Sequence, residues 1–320
     1  MKSKEKSKSS LKNPLKQVKT YPIDKRKNKV KKEDFALCPK PKKSFRDFYK
    51  GLPDFLGAAD LRSLVKAIIT ARRKNKSVIF MMGAHVIKCG LNPVFIELLK
   101  KDIITAVAFN GAGCIHDFEV ALIGQTSEDV AQSIEDGSFG MARETGSLIN
   151  KAIIAGVEKE EGIGGTIARM IGDKKMPHRQ LSLLYQAKKL NIPVTVHVAI
   201  GTDIIHQHPS CSGAAVGEGS MLDFQKFIDQ VRGLNNGGVI VNIGSAVILP
   251  EVFLKALTVA RNISSGVKNF TTANFDMILH YRPHENVLHR PILSGGRSYN
   301  FIGQHEIMIP LLGQAIIEQI

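Results

Sequence analysis

The sequence predicts an α/β fold, a parallel sheet with helices on both faces. Three observations predict it. Five short runs are apolar throughout rather than alternating, which marks strands buried on both faces. Stretches with apolar residues at three- and four-residue steps lie before or between them, the period of amphipathic helices. Each apolar run stops at Gly or at small and polar residues, as strands do when their carboxyl ends face a ligand.

In chain order, residues 1–43 read as a disordered basic tail ending in CPKPKK, and residues 44–320 as one folded domain. From Phe45 to Lys76 the residues Leu52, Phe55, Leu56, Leu61, Leu64, Val65, Ile68 and Ile69 form a helical stripe. Pro53 to Gly57 break it into two helices. The strands are SVIFMMG (77–83), IITAVAFNGAG (103–113), IPVTVHVAIG (192–201), GGVIVNIG (237–244) and VKNFTTANF (267–275). Helices are predicted over Asn92–Lys101, with Pro93 in the first turn, from Gly113 through Leu122, and over Gln180–Leu190, Leu222–Leu234, Pro250–Asn262 and His305–Glu318. Residues 125–146 form a polar, Gly-punctuated stretch that either folds over the site or packs a subunit interface, or is a surface loop with a capped helix at Thr126-Ser127-Glu128-Asp129.

Length and composition set the class. The 320 residues suffice for a sizeable core, and 43% apolar with 23% charged residues is ordinary for a globular protein. No apolar run reaches the roughly 18 residues of a membrane span, and the N-terminus lacks the apolar core of a secretory signal. Cys38, Cys89, Cys114 and Cys211 are widely spaced, which suits a reducing, cytoplasmic setting. The net charge of +15 is unevenly placed: residues 1–45 hold 16 Lys/Arg against 4 Asp/Glu, the remainder 28 against 25. The tail is therefore a solvated segment, or one with weak, salt-sensitive attraction to nucleic acid or anionic surfaces.

The chemistry is expected at the strand ends. These read Gly83-Ala84-His85 with Lys88-Cys89-Gly90, then Asn110-Gly111-Ala112-Gly113 with His116-Asp117, then Gly201-Thr202-Asp203 with His206 and His208, then Gly244-Ser245-Ala246, and last Thr271–Asp276. Small residues let a flat or phosphate-bearing ligand approach the backbone, and a following helix N-terminus offers N–H groups to anions. The run NGAGCIHD is not GxGxxG, and a tight turn explains its glycines equally well. His206, His208 and Cys211 match no familiar zinc spacing, and no metal is expected. His280, His284, His289 and His305 are candidate general bases. Arg282 is a candidate carboxylate or phosphate ligand, with an ion pair to Glu285 as the plain alternative.

From Ser77 to Ile320 the chain resembles the deoxyhypusine synthase family. FNGAGCIHD, GTIARMIGD, GGVIVNIGSAV, TTANFD and RPHENV follow the order of that family's motifs. The resemblance implies a modified Rossmann fold, an NAD cofactor, a homotetramer and an amine substrate. It would place Gly83, Ala84, Gly111, Ala112, Gly113 and Asp117 at NAD, together with Gly244, Ser245, Thr272, Ala273 and Asp276. Glu285 would sit on the amine-binding side, where Arg282, His284 and His289 are the further catalytic candidates. The family's catalytic lysine falls on Pro291, and His289 stands where the family has tryptophan. Proline has no amine for imine formation. The expectation is an NAD-binding enzyme acting on an amine or another small polar substrate without that lysine. The alternative is a non-catalytic nucleotide-binding or assembly protein of the same fold.

Overall fold

The computed structural model describes residues 13–264 and 266–320. The first twelve residues of the basic tail lie outside that range. Residues 13–43 form only three 3-10 turns and are almost wholly exposed. Their end is tied down, because Leu37 N–H donates to Gly51 O (2.9 Å) and Asp54 N–H to Asp34 O (3.0 Å). Helix α1 (Phe45–Gly51) follows, its first turn closed by a reciprocal Ser44–Asp47 capping box. Helix α2 (Leu56–Arg73) is joined to it by Arg62, whose guanidinium donates to the Tyr49, Leu52 and Pro53 carbonyls.

The sheet has six parallel strands: β1 (Val78–Met82), β2 (Ala106–Asn110), β3 (Val194–His197), β4 (Val239–Ile243), β5 (Phe270–Asp276) and β6 (Gly296–Ile302). Their order is β3-β2-β1-β4-β5-β6. The chain winds outward from β1 in one direction, then returns to start the other half at β4. This is the doubly wound Rossmann order, with its switch point between β1 and β4. The five apolar runs are β1 to β5. The sequence reading missed β6, because GRSYNFI is polar and buries only Phe301 fully, as an edge strand can.

Alternate residues of each strand face two apolar layers. Phe80, Val107, Val241 and Phe275 pack with α2, α4 (Asn92–Lys100), α5 (Gly111–Ile123), α8 (Ile163–Asp173) and α9 (Leu183–Lys189). Ile79, Ala108, Ile240 and Phe270 pack with α10 (Gly213–Arg232) and α11 (Ile248–Ile263). Between β1 and α4 lies the single turn α3 (His85–Lys88); α6 (Val130–Ser133) and α7 (Arg143–Val157) fill the interval between α5 and α8. Helix α10 starts nine residues before the apolar stripe that predicts it. Its first turns are small residues capped by Ser212, whose side chain accepts from Ala215 N–H. It covers the outer edge of β3, where Asp223 accepts from Val196 N–H (2.9 Å) and from Gly164 N–H (2.8 Å).

The β4–β6 half carries a buried amide ladder. Asn242, Asn274 and Asn300 are register partners. Asn242 Nδ2 donates to Asn274 Oδ1 (2.8 Å), and Asn274 Nδ2 to Asn300 Oδ1 (3.1 Å). From β5 the chain returns through the turn α12 (Tyr281–Pro283), a π-helix over His284–His289 and a 3-10 turn (Arg290–Ser294). Val287 and Leu288 of this return join the α10–α11 layer. Helix α13 (His305–Ile317) closes the fold.

Candidate functional site

At the switch point the ladder runs one residue past the strands. Gly83 N–H donates to Ile243 O (2.9 Å) and Gly244 N–H to Phe275 O (3.0 Å). A Cβ on Gly83 would fall 2.1 Å from Gly244 O, so only glycine allows this approach. Gly244 has φ +62°, and a Cβ there would fall 2.7 Å from His305 Cε1. The buried imidazole of His305, first residue of α13, thus lies directly on the switch point. Its Nε2 donates to Phe275 O (3.2 Å), which leaves Nδ1 an unpartnered acceptor. The Ser245 hydroxyl accepts from Leu249 N–H (3.2 Å) and caps α11. The structure therefore brings Gly83, Ala84, Gly244 and Ser245 together, with His305 above them.

The turn after β2 is built differently. The Asn110 side chain accepts from Gly113 N–H (2.9 Å) and caps α5. A Cβ on Gly111 would fall 1.9 Å from Asp203 Oδ2, so the Asp203 carboxylate fills the space over the first turn of α5. Burial pushes Asp203 up to about 6, with only the Ala112 N–H holding it down. Its Oδ2 is buried without a partner. A carboxylate of this chain therefore holds the place a ligand phosphate would take at that helix N-terminus.

Beside it, at the carboxyl ends of β2 and β3, lies a cavity of about 210 Å³ lined by Lys88, His116, Glu119, Glu128, Phe139 and Asp203 among others. Depressions of about 350 and 490 Å³ lie at the opposite end of the sheet, near Pro193 and Val267, where the doubly wound rule places no ligand. At 210 Å³ the cavity is smaller than the roughly 300–1,000 Å³ of drug-sized sites. It has room for a small molecule, not for a whole dinucleotide.

Its polar wall is a relay. The Thr126 hydroxyl donates to Glu119 (2.5 Å), and Thr145 donates to the same carboxylate (3.0 Å). His116 Nδ1 is 2.6 Å from Thr126 Oγ1. Because the one hydroxyl proton goes to Glu119, Nδ1–H of His116 is the donor to Thr126, and its Nε2 has no hydrogen-bond partner among the described residues. Burial raises Glu119, but hydrogen bonds from His116, Thr126 and Thr145 outweigh it and hold the carboxyl below its usual range. The 125–146 stretch supplies the roof. Gly140 N–H donates to Glu128 (2.8 Å), and His208 Nε2 donates to Gly140 O (2.8 Å). Asp129 caps α6, so this stretch is both a cover and a capped helix. His206 Nδ1 accepts from the Gly201 and Asp203 N–H groups (3.2 Å each), which shapes the Asp203 loop.

Other predicted residues sit elsewhere. Asp117, fully buried, accepts from Asn92, Ser182, Leu183 N–H and Leu184 N–H (2.6 to 3.1 Å). It anchors α9 to α5 and has no spare face for a ribose. Thr272 and Ala273 lie inside β5, roughly 10–13 Å before its end at about 3.3 Å per residue, so of the β5 trio only Asp276 reaches the rim. Glu285 is bonded by His284 (2.9 Å) and His289 (3.2 Å), not by Arg282, which pairs with Glu251 (3.0 Å). His280 shares this exposed side of the return. Pro291 is buried at the far end of the return, its carbonyl accepting from Arg261 (2.7 Å). Sequence reasoning missed Glu119 and Glu128. The spacing His116-x-x-Glu119, one helical turn, was the available signal for the first.

No family model and no curated protein matches the sequence. Solved structures do. Unliganded AgrE aligns with a TM-score of 0.52 at 14% identity, over 81% of this chain and 32% of that one. AgrE in a ternary complex with ornithine and NAD+ gives 0.51 at 15% identity, over 81% and 33%. A candidate deoxyhypusine synthase from Entamoeba histolytica covers 94% of this chain and 97% of its own at 10% identity, with a TM-score of 0.48. The chain spans about a third of the length of AgrE, and the likeness is one of fold. Fold and strand order define the class: a doubly wound, Rossmann-like α/β protein.

Proposed function

We propose that this chain is an NAD-binding enzyme related to deoxyhypusine synthase that oxidises an amine or another small polar substrate in the cavity beyond β2 and β3. The observation that carries the reading is the placement of Gly83–Ala84 and Gly244–Ser245 at the switch point, next to that cavity. AgrE, which shares the fold, has been crystallised with ornithine and NAD+. In this reading the cofactor lies along the switch-point residues and Asp276, and the Asp203 loop moves aside to free the first turn of α5. NAD, when bound, supplies a hydride acceptor. His116 takes the proton an amine N–H gives up, through its Nε2, and Glu119 stabilises the imidazolium across Thr126. Lys88 is the amine lining the cavity, since Pro291 cannot serve. The resemblance to deoxyhypusine synthase supports a homotetramer with sites between subunits, and the widely spaced cysteines support a cytoplasmic setting. Residues 44–320 form the NAD-binding unit, and residues 1–43 a basic tail with salt-sensitive contacts to anionic surfaces.

A second reading has its own observation. Asp203 on α5 and His305 on Gly244 fill the two places a dinucleotide needs, as in a protein that has given up the cofactor and serves in assembly. Thermal unfolding with NAD decides. Binding at a hundred times Kd stabilises by about 2.7 kcal/mol; no shift at saturating NAD overturns the first reading in favour of the second. Borohydride reduction with spermidine and NAD then sets the extent of the reaction. An adduct at Lys88 extends it to group transfer, and an unlabelled chain confines it to hydride transfer.

A further inference from the structure

Helix α3 is a single turn between the switch point and α4, and no step proposed above uses its outer face. His85 and Cys89 are four residues apart and joined by the Cys89 N–H to His85 O bond (2.9 Å). That spacing puts both side chains on one side. The chain brings Glu306, 217 residues after Cys89, against them: Cys89 Sγ is 3.9 Å from Glu306 Oε2. One ring nitrogen of His85, the Cys89 sulfur and a Glu306 carboxylate oxygen all lie within 4.8 Å of one another. Only folding assembles this set, which is why no spacing in the sequence announces it.

We propose that His85, Cys89 and Glu306 form a zinc-class divalent transition-metal site at the carboxyl end of β1.

Four features carry the assignment. The donors are one imidazole, one thiol and one carboxylate, a mixture that suits zinc and not magnesium or calcium, which take oxygen ligands. Metal–ligand bonds of about 2.0–2.3 Å in a tetrahedron set ligand atoms roughly 3.3–3.7 Å apart, so the cluster closes on a metal with a small contraction, which exposed Glu306 can supply. Among the described residues no cation pairs with Glu306, and the ring nitrogens of His85 make no hydrogen bond, so apart from the Cys89–Glu306 contact the donors are free. Finally, the buried His305 ring packs 5.4 Å from that of His85, and its Nδ1 is an orphaned acceptor beside the cluster. Three protein ligands leave the fourth position to water or substrate, the pattern of catalytic rather than structural zinc.

The test uses the full chain, stripped with a chelator and titrated with Zn2+, and with Co2+ for spectroscopy. One equivalent of Co2+ is expected to bind with a thiolate-to-cobalt charge-transfer band. Cys89→Ser removes the band, whereas Cys38→Ser and Cys211→Ser keep it. His85→Ala and Glu306→Gln each weaken Zn2+ at least about tenfold. Zn2+ raises the Tm of the native chain and not that of Cys89→Ser, while the metal-free chains melt alike, which separates lost ligation from lost folding. Uptake equal to that of the His85→Ala/Cys89→Ser/Glu306→Gln chain overturns the proposal, as does a charge-transfer band that survives Cys89→Ser. None of these readouts needs NAD or turnover.

Discussion

Two regions of this chain are dense in charged and imidazole groups, and they are built on opposite plans. In the return from β5 to β6, His284 and His289 keep 50% and 57% of their side-chain surface, and Glu285 keeps 19%. What shields Glu285 is His284, His289 and Arg290, themselves half-exposed, so its cover is solvated charge rather than core. Beyond β2 the same chemistry is enclosed: His116 and Glu119 keep 18% and 17%, under a roof hydrogen-bonded on both sides. Exposed pairs contribute little and are screened by salt. Enclosed ones keep their protonation states and exclude water. Polar density in a sequence marks a surface as readily as a site, and the walls decide which.

That contrast can be broken in four places. The largest effect is expected at His116. If it is the base, His116→Ala lowers NAD reduction with an amine substrate by about 10²–10⁴-fold, while His289→Ala leaves the rate unchanged; the opposite result moves the chemistry to the β5–β6 return. Asp117→Ala comes next. It strips four buried donors of their acceptor, and urea unfolding is expected to show a loss of about 3 kcal/mol or more; a loss near zero would mean Asp117 does not anchor α9.

Asp203 sharpens the comparison through pH. Its folded pKa, about 6, lies above the ordinary 3.8, so the folded chain binds the extra proton between those values. Its share of stability is present at low pH and is lost as pH rises through 6. At neutral pH the charged form costs roughly 3 kcal/mol at most, from about two units at 1.36 kcal/mol each. Asp203→Asn should therefore gain on the native chain in unfolding free energy between about pH 4 and 6, and hold that gain above it. Equal pH slopes would place Asp203 in water. The smallest effect belongs to Glu285→Gln, for which an unchanged urea midpoint is expected. A large drop would show the surface cluster to be part of the core's support.

Much of the fold was legible. Strands β1 to β5 are buried along nearly their whole length because helices cover both faces, and Pro53 stands in the break between α1 and α2, although Gly57 falls inside α2. The edge strand β6 and the small-residue start of α10 were not, since neither carries a hydrophobic period. At the site, the small residues of the switch point were legible as strand ends. The grip of Asp203 on Gly111 was not, because two loops 92 positions apart meet only in space. Nor does anything in FNGAGCIHD distinguish an Asp that anchors a helix from one that holds a ribose.

The asparagine ladder fixes more than stability. Strands β4, β5 and β6 could each slide by one residue and still bury apolar side chains, but the slide would turn its amide toward the other layer, against Val241, Ala273 or Phe301. Asn274 is bonded on both sides, and Asn242 and Asn300 each on one, only by a neighbour in step with it. The ladder therefore works as a shared key for three strands distant in the sequence. In descendants of this chain Asn242, Asn274 and Asn300 should be kept or replaced as a set, a signature visible in sequences alone.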